Sequence, residues 1–79
     1  MLDKYDFSRS EWEHFIKEWV FNEQDRKMLV WRLLDGLTIQ ELAERLSLST
    51  DQTKRRLYRA QNRLFKGVDK SLKKVIYYV

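Results

Sequence analysis

The sequence contains no cysteine, no proline and only two glycines, Gly36 and Gly67. Without cysteine, neither a disulfide nor thiolate metal ligation can stabilise the chain. Without proline, and with so little glycine, the tight turns of a small β-rich domain lack the residues that form them, so the composition favours helices. No apolar run reaches the length of about 18 residues that a spanning helix needs, and the N-terminal MLDKYDFSRS has no apolar signal-peptide centre. The expected location is therefore the cytoplasm, with no membrane partner. A single histidine, His14, no Gly-rich phosphate loop and no recognisable pair of carboxylates leave no catalytic residue, no cofactor and no metal site to nominate.

What is present suits one small helical domain. Seventy-nine residues lie near the lower end of what can bury its own core. The 43% hydrophobic and 14% aromatic content must supply that core unaided. The formal charge of +4 conceals a split. Residues 1–50 carry seven basic and ten acidic side chains, net −3, whereas residues 51–79 carry nine basic and two acidic, net +7. A basic end on an acidic domain points to a polyanionic partner, with nucleic acid first among candidates.

Hydrophobic spacing predicts the helices. Ser8 with Glu11, or Ser10 with Glu13, can form the capping box of a first helix. Its apolar stripe is Trp12, Phe15, Ile16, Trp19 and Val20, with Glu11, Glu13, Lys17 and Glu18 outward. Tyr5 or Phe7 is expected to tuck against the core, and His14 to lie on the surface. Asn22 can cap a second helix whose Met28, Leu29, Trp31, Leu33 and Leu34 make it apolar over more than half its circumference, the candidate central helix. Asp35-Gly36 ends it. Thr38 with Glu41 caps a third helix with Ile39, Leu42, Ala43 and Leu46 inward.

After a turn at Ser47-Leu48-Ser49, with Leu48 expected to plug the angle between helices, Ser49 caps a fourth helix, and Gln52 stands at the reciprocal position of the box. Thr53, Leu57, Ala60 and Leu64 face inward. Lys54, Arg55, Arg59, Asn62, Arg63 and Lys66 spread over the outside. Six basic residues occur from Lys54 to Lys66 without an acidic one among them, so this helix lacks the sign alternation that would give i,i+4 pairs. Gly67 is expected to stop it after about 17 residues, a rod of roughly 25 Å. The remaining VDKSLKKVIYYV can be read either as further helix or as a strand, packed on the first helix or on a second copy.

The third and fourth helices have the spacing of a helix-turn-helix, about residues 38–66, supported by helices at about residues 9–35 and followed by a tail, 67–79. The text DGLTIQELAERLSLS followed by TDQTKRRLYRAQNRLF resembles the fourth conserved region of bacterial RNA polymerase sigma factors, over about residues 22–66. In overall form the chain also resembles short sigma-like proteins of phages and prophages. The resemblance implies an all-α, compact four- to five-helix domain. It departs from the family pattern at two places: Ser47 stands where a turn glycine is usual, and Thr53 where a buried valine is usual. Ser47 must then adopt a left-handed conformation at some cost or shift the turn, and the Thr53 hydroxyl can bond back to the backbone one turn earlier.

Helix-turn-helix geometry presents the first turn of the second helix to base edges. The candidate DNA-binding residues are Ser49, Thr50, Asp51, Gln52, Lys54, Arg55, Arg59 and Arg63. Glutamine can pair with adenine and arginine with guanine, Asp51 can accept from a cytosine amino group, and Lys54 and Arg59 are expected on phosphates. The function expected is a sequence-specific DNA-binding transcription regulator or sigma-like accessory factor on double-stranded promoter or operator DNA. In the resembling family this domain also contacts the polymerase β flap, so RNA polymerase is a second expected partner. Monomer and homodimer both remain open. With no room for the promoter-melting sigma region, the 79 residues are not expected to initiate transcription alone. The alternative is a protein-interaction module docking on RNA polymerase or another partner through helices one and two without DNA binding, which exposed Trp or Phe on helix one would favour.

Overall fold

Each helix begins where a short polar side chain can satisfy free backbone N–H groups. In the computed structural model, which describes residues 6–77 and the side chains of residues 6–72, the elements are α1 (Arg9–Trp19), α2 (Glu23–Leu29), α3 (Ile39–Leu46) and α4 (Thr50–Tyr77). No strand occurs among the described residues. Ser8 closes the capping box of α1 with Glu11, Thr38 that of α3 with Glu41, and the Asn22 side chain accepts from the Asp25 N–H at α2. Each such cap is worth about 1 kcal/mol.

α2 does not end as a regular helix. It continues as a π-helical segment, Val30–Leu34, in which the Asp35 N–H reaches back to the Val30 carbonyl at 3.0 Å. The extra residue per turn was invisible in a pattern apolar over most of its circumference. Gly36, at φ 75°, then reverses the chain, and Arg32 holds the reversal by donating from Nη1 to the Leu37 carbonyl at 2.8 Å. Arg26 fixes the preceding corner: Nε donates to the Val20 carbonyl and Nη2 to the Lys17 carbonyl, a cation placed on the free carbonyls at the end of α1.

The core joins Trp12, Ile16 and Val20 of the first helix and its cap, Met28 and Leu29 of α2, Leu42 of α3, and Leu57, Ala60, Leu64 and Val68 of α4. Phe7 packs on Trp12 and Phe15 with ring centroids 5.2 and 5.0 Å apart. Tyr5, its alternative, lies outside the described residues. The inward set expected for the fourth helix is buried, Thr53 included, and α4 contributes more fully buried side chains than α2. The central role assigned to the second helix therefore passes to α4, because only two of the apolar residues of that helix, Met28 and Leu29, are fully covered. Leu48 is half-buried at the turn, beside the fully buried Leu42 and Leu57.

The expectation that Gly67 stops the fourth helix is wrong. α4 runs 28 residues through Gly67 to Tyr77, about 42 Å at 1.5 Å per residue. It accounts for the long dimension of a molecule 45 × 19 × 18 Å. The reason is tertiary. Gly67 lies flat against the Trp19 indole, where a Cβ would collide with Cγ and Cδ2 and stand 2.8 Å from Cδ1. Four residues on, the Ser71 hydroxyl accepts from Trp19 Nε1 at 3.2 Å. Glycine here permits a close approach rather than a break, and the cost of about 1 kcal/mol in helix propensity is offset by indole packing. Of the ambiguous VIYYV, residues 75–77 continue α4; Tyr78 and Val79 lie outside the described residues.

Candidate nucleic-acid interface

The turn between α3 and α4 sets how the start of α4 is displayed. Ser47 adopts φ 56°, ψ 41°, the left-handed conformation that the usual glycine would take without strain. Its neighbour Leu48 donates from its N–H to the Ala43 carbonyl at 3.0 Å, closing the end of α3. Ser49 and Gln52 form a reciprocal box: the Ser49 hydroxyl accepts from the Gln52 N–H at 3.1 Å and the Gln52 side-chain oxygen from the Ser49 N–H at 3.2 Å. The Thr53 hydroxyl donates to the Ser49 carbonyl at 2.8 Å, so the polar group that replaces valine is satisfied within its own turn.

With Thr53 and Leu57 turned inward, all eight nominated residues (Ser49, Thr50, Asp51, Gln52, Lys54, Arg55, Arg59 and Arg63) are exposed along α4. Helical rotation of about 100° per residue separates them further. Arg55 and Arg59 stand opposite the buried stripe and continue into Lys66. Gln52 and Arg63 flank them on the side of α1 and α2, and Lys54 lies on the other flank. The box constrains Gln52: its oxygen is already engaged, leaving the amide N–H groups to reach outward, so bidentate pairing with adenine would require opening the cap.

Arg56, the third cation of this run, is turned away from the exposed row. Its Nε meets Asp25 Oδ1 at 2.5 Å and its Nη2 meets Asn22 Oδ1 at 3.2 Å, joining α4 to the first turn of α2. Both charged side chains are about three-quarters buried, at 27% and 22% exposure. A lone cation would be misplaced at a helix N-terminus, and Asp25 compensates it. Arg56, Arg59 and Arg63 surround a cleft of about 340 Å³ floored by Val20 and Ala60. Sequence spacing alone does not mark Arg56 as different, because its partner lies 31 residues away. Tyr58, 55% exposed on the outer side of α4, and the continuing cations Lys66 and Lys70 also escaped nomination.

The turn at Ser47, the Ser49–Gln52 cap and the inward Thr53 together set the start of α4 outward, with Arg55, Arg59 and Lys66 exposed along it. The sequence matches the sigma-70, region 4 family over residues 22–64. The chain belongs to that family. Membership gives it, in general terms, the DNA-binding and RNA-polymerase-associated character of this non-enzymatic regulatory domain. Searches of curated proteins and of solved structures returned no match. Among the described residues no helix is long and apolar enough to cross a membrane, and no cluster of three or more His, Asp or Glu could hold a metal ion.

Proposed function

We propose that this region 4 domain is a sequence-specific transcription regulator or sigma-like accessory factor that reads promoter DNA with the first turns of α4 in the major groove. The observation that carries the reading is the orientation of α4. Thr53, Leu57, Ala60 and Leu64 are buried, which leaves Thr50, Asp51, Lys54 and Arg55 directed away from the domain at the end of the helix that a groove can admit. In this reading Arg55 pairs with guanine. Gln52 donates from its amide while its oxygen keeps the cap, and Asp51 accepts from cytosine. Lys54, Arg59 and Arg63 hold phosphates, and Ser49 and Thr50 present the helix N-terminus to the backbone.

The test is selection of bound sequences from a random duplex pool, followed by titration of the best duplex against salt. A short enriched motif is expected, single for a monomer or repeated for a homodimer. Four to six phosphate contacts give a log–log salt slope of roughly −4 to −5. Arg55→Ala should flatten sequence preference, while Arg59→Ala should weaken all duplexes alike. No binding even at low salt would overturn the reading.

Association with RNA polymerase is assigned to the opposite side of the domain. There Ile16, Val30 and Trp31 line a groove of about 320 Å³ between α1 and α2, edged by Glu13, Lys17, Glu23 and Lys27. Helix one itself offers no fully exposed aromatic, since Trp12 is buried and Phe15 and Trp19 are half-buried. That favours DNA reading with polymerase contact over docking alone. Binding of the isolated β flap, abolished by Trp31→Glu with DNA affinity retained, would support this assignment.

A further inference from the structure

Between the corner that joins α1 to α2 and the second half of α4 runs an open groove of about 510 Å³. Its apolar side is made by Trp19 and Phe21, and its rim by Arg59, Arg63, Lys66 and Lys70. Phe21 is 72% exposed, more than any other large hydrophobic side chain among the described residues. That exposure is built into the corner. Val20 before it is buried, its carbonyl is held by Arg26, and Asn22 after it caps α2 and receives Arg56. The phenyl ring is thus presented on a fixed backbone.

None of the lining side chains is acidic, and no described residue holds any of the four cations in an ion pair. A bare aromatic side chain ringed by cations that no described residue pairs calls for a partner that offers apolar surface and negative charge together. A DNA backbone would satisfy the cations but leaves Phe21 without apolar cover. A second copy paired through the same face would bring two sets of four cations together. The apolar half of the groove and two of its cations, Trp19, Phe21, Lys66 and Lys70, lie outside the matched residues 22–64.

We propose that this groove docks an acidic peptide segment of a partner protein. A large apolar side chain of the segment covers Phe21 and Trp19, and its carboxylates pair with Arg59, Arg63, Lys66 and Lys70. Arg59 and Arg63 also belong to the proposed DNA interface, so peptide and duplex weaken each other's binding by the same factor. That competition rests on the DNA reading; the docking does not.

The probes are two fluorescent synthetic peptides, one with leucine and tryptophan set among aspartates and glutamates, the other with alanines replacing the two apolar residues. Anisotropy with the full chain at low salt should show the first binding about tenfold more tightly, and Phe21→Ala should remove most of that advantage. Lys66→Glu combined with Lys70→Glu should abolish binding of both peptides. Phe21→Ala should leave duplex affinity within about twofold, and its thermal unfolding unchanged, because the side chain is exposed. Equal binding of the two peptides, or full retention of the advantage in Phe21→Ala, would overturn the proposal. A fall in duplex affinity with peptide binding untouched would assign the groove to nucleic acid instead. Failure of the wild type to bind any duplex, with peptide discrimination intact, would sink the DNA reading and leave the groove standing.

Discussion

The two halves of α4 are held by different means. The first, through Leu64, lies within the family match and is tied to α2 by Arg56 and set at its angle by the turn at Ser47. The second begins at Phe65, lies outside the match and is held by α1, through Trp12 against Phe65 at 6.1 Å between ring centroids and Trp19 across Gly67 to Ser71. One continuous helix therefore joins a half that lies within the family match to a half that α1 anchors. A helix that would end near residue 66 as a separate rod becomes a beam clamped at both ends, and its clamp also forms the Phe21 groove.

The largest effect should come from breaking the second clamp. Gly67→Leu places a side chain where the Trp19 ring already sits, and should cost about 3 kcal/mol or more in urea unfolding. Gly67→Ala sharpens the test. In the wild-type background it should destabilise. In a Trp19→Ala background, with the ring gone, it should stabilise by about 1 kcal/mol, the ordinary gain of alanine over glycine in a helix. Equal effects of Gly67→Ala in both backgrounds would show that the indole does not lie on the helix.

That contrast also explains what the sequence disclosed. The first half of α4 was legible because Thr53, Leu57, Ala60 and Leu64 repeat at helical spacing and because the caps at Ser49 and Thr38 are local, decided by residues three apart. The second half was not, because glycine is punctuation on local grounds and its compensating partner is remote: Trp19 and Ser71 lie 52 residues apart. The same holds for the site. The exposure of the nominated DNA-contacting residues follows from the inward stripe. Arg56, in contrast, is chemically indistinguishable from Arg55 until the fold brings Asp25 to it. Phe21, between a stripe that ends at Val20 and a cap at Asn22, has no periodic position to betray its exposure.

The first clamp should yield less. Arg56→Ala removes a mostly buried pair and leaves Asp25 without its partner, a loss of about 1–2 kcal/mol. Asp25→Ala should cost a similar amount, and the double variant less than the two combined. Arg59→Ala, four-fifths of a turn away but exposed, should change stability by less than about 0.5 kcal/mol. If Arg56→Ala proved as neutral as Arg59→Ala, the division of α4 into a structural and an exposed row of cations would fail. Smaller again, Ser47→Gly relieves a left-handed serine and should raise stability by about 0.5–1 kcal/mol without altering DNA preference. A loss would mean that the serine side chain has a role at the turn beyond its backbone angle.

The smallest effect separates the start of α3 from the start of α4. At α3 the capping box uses Glu41, whose Oε1 accepts from the Thr38 N–H at 3.0 Å. That backbone bond, then the Thr38 hydroxyl, then the nearby Arg45 hold the Glu41 carboxyl below the ordinary glutamate value. A carboxyl lowered in the folded state adds stability that is complete above the unfolded value and disappears as pH falls through the folded one. The equivalent box at α4 uses Gln52, which does not titrate. Acid should therefore loosen the start of α3 while the start of α4 keeps its cap. Carboxyl carbon shifts followed by NMR through the acid range check this. Thr38→Ala should leave most of the Glu41 displacement in place, because the leading cause is a main-chain N–H that alanine retains. Full return of Glu41 to its ordinary value in that variant would transfer the cap from the backbone to the hydroxyl, and would mean that box geometry survives only while both halves of it are made.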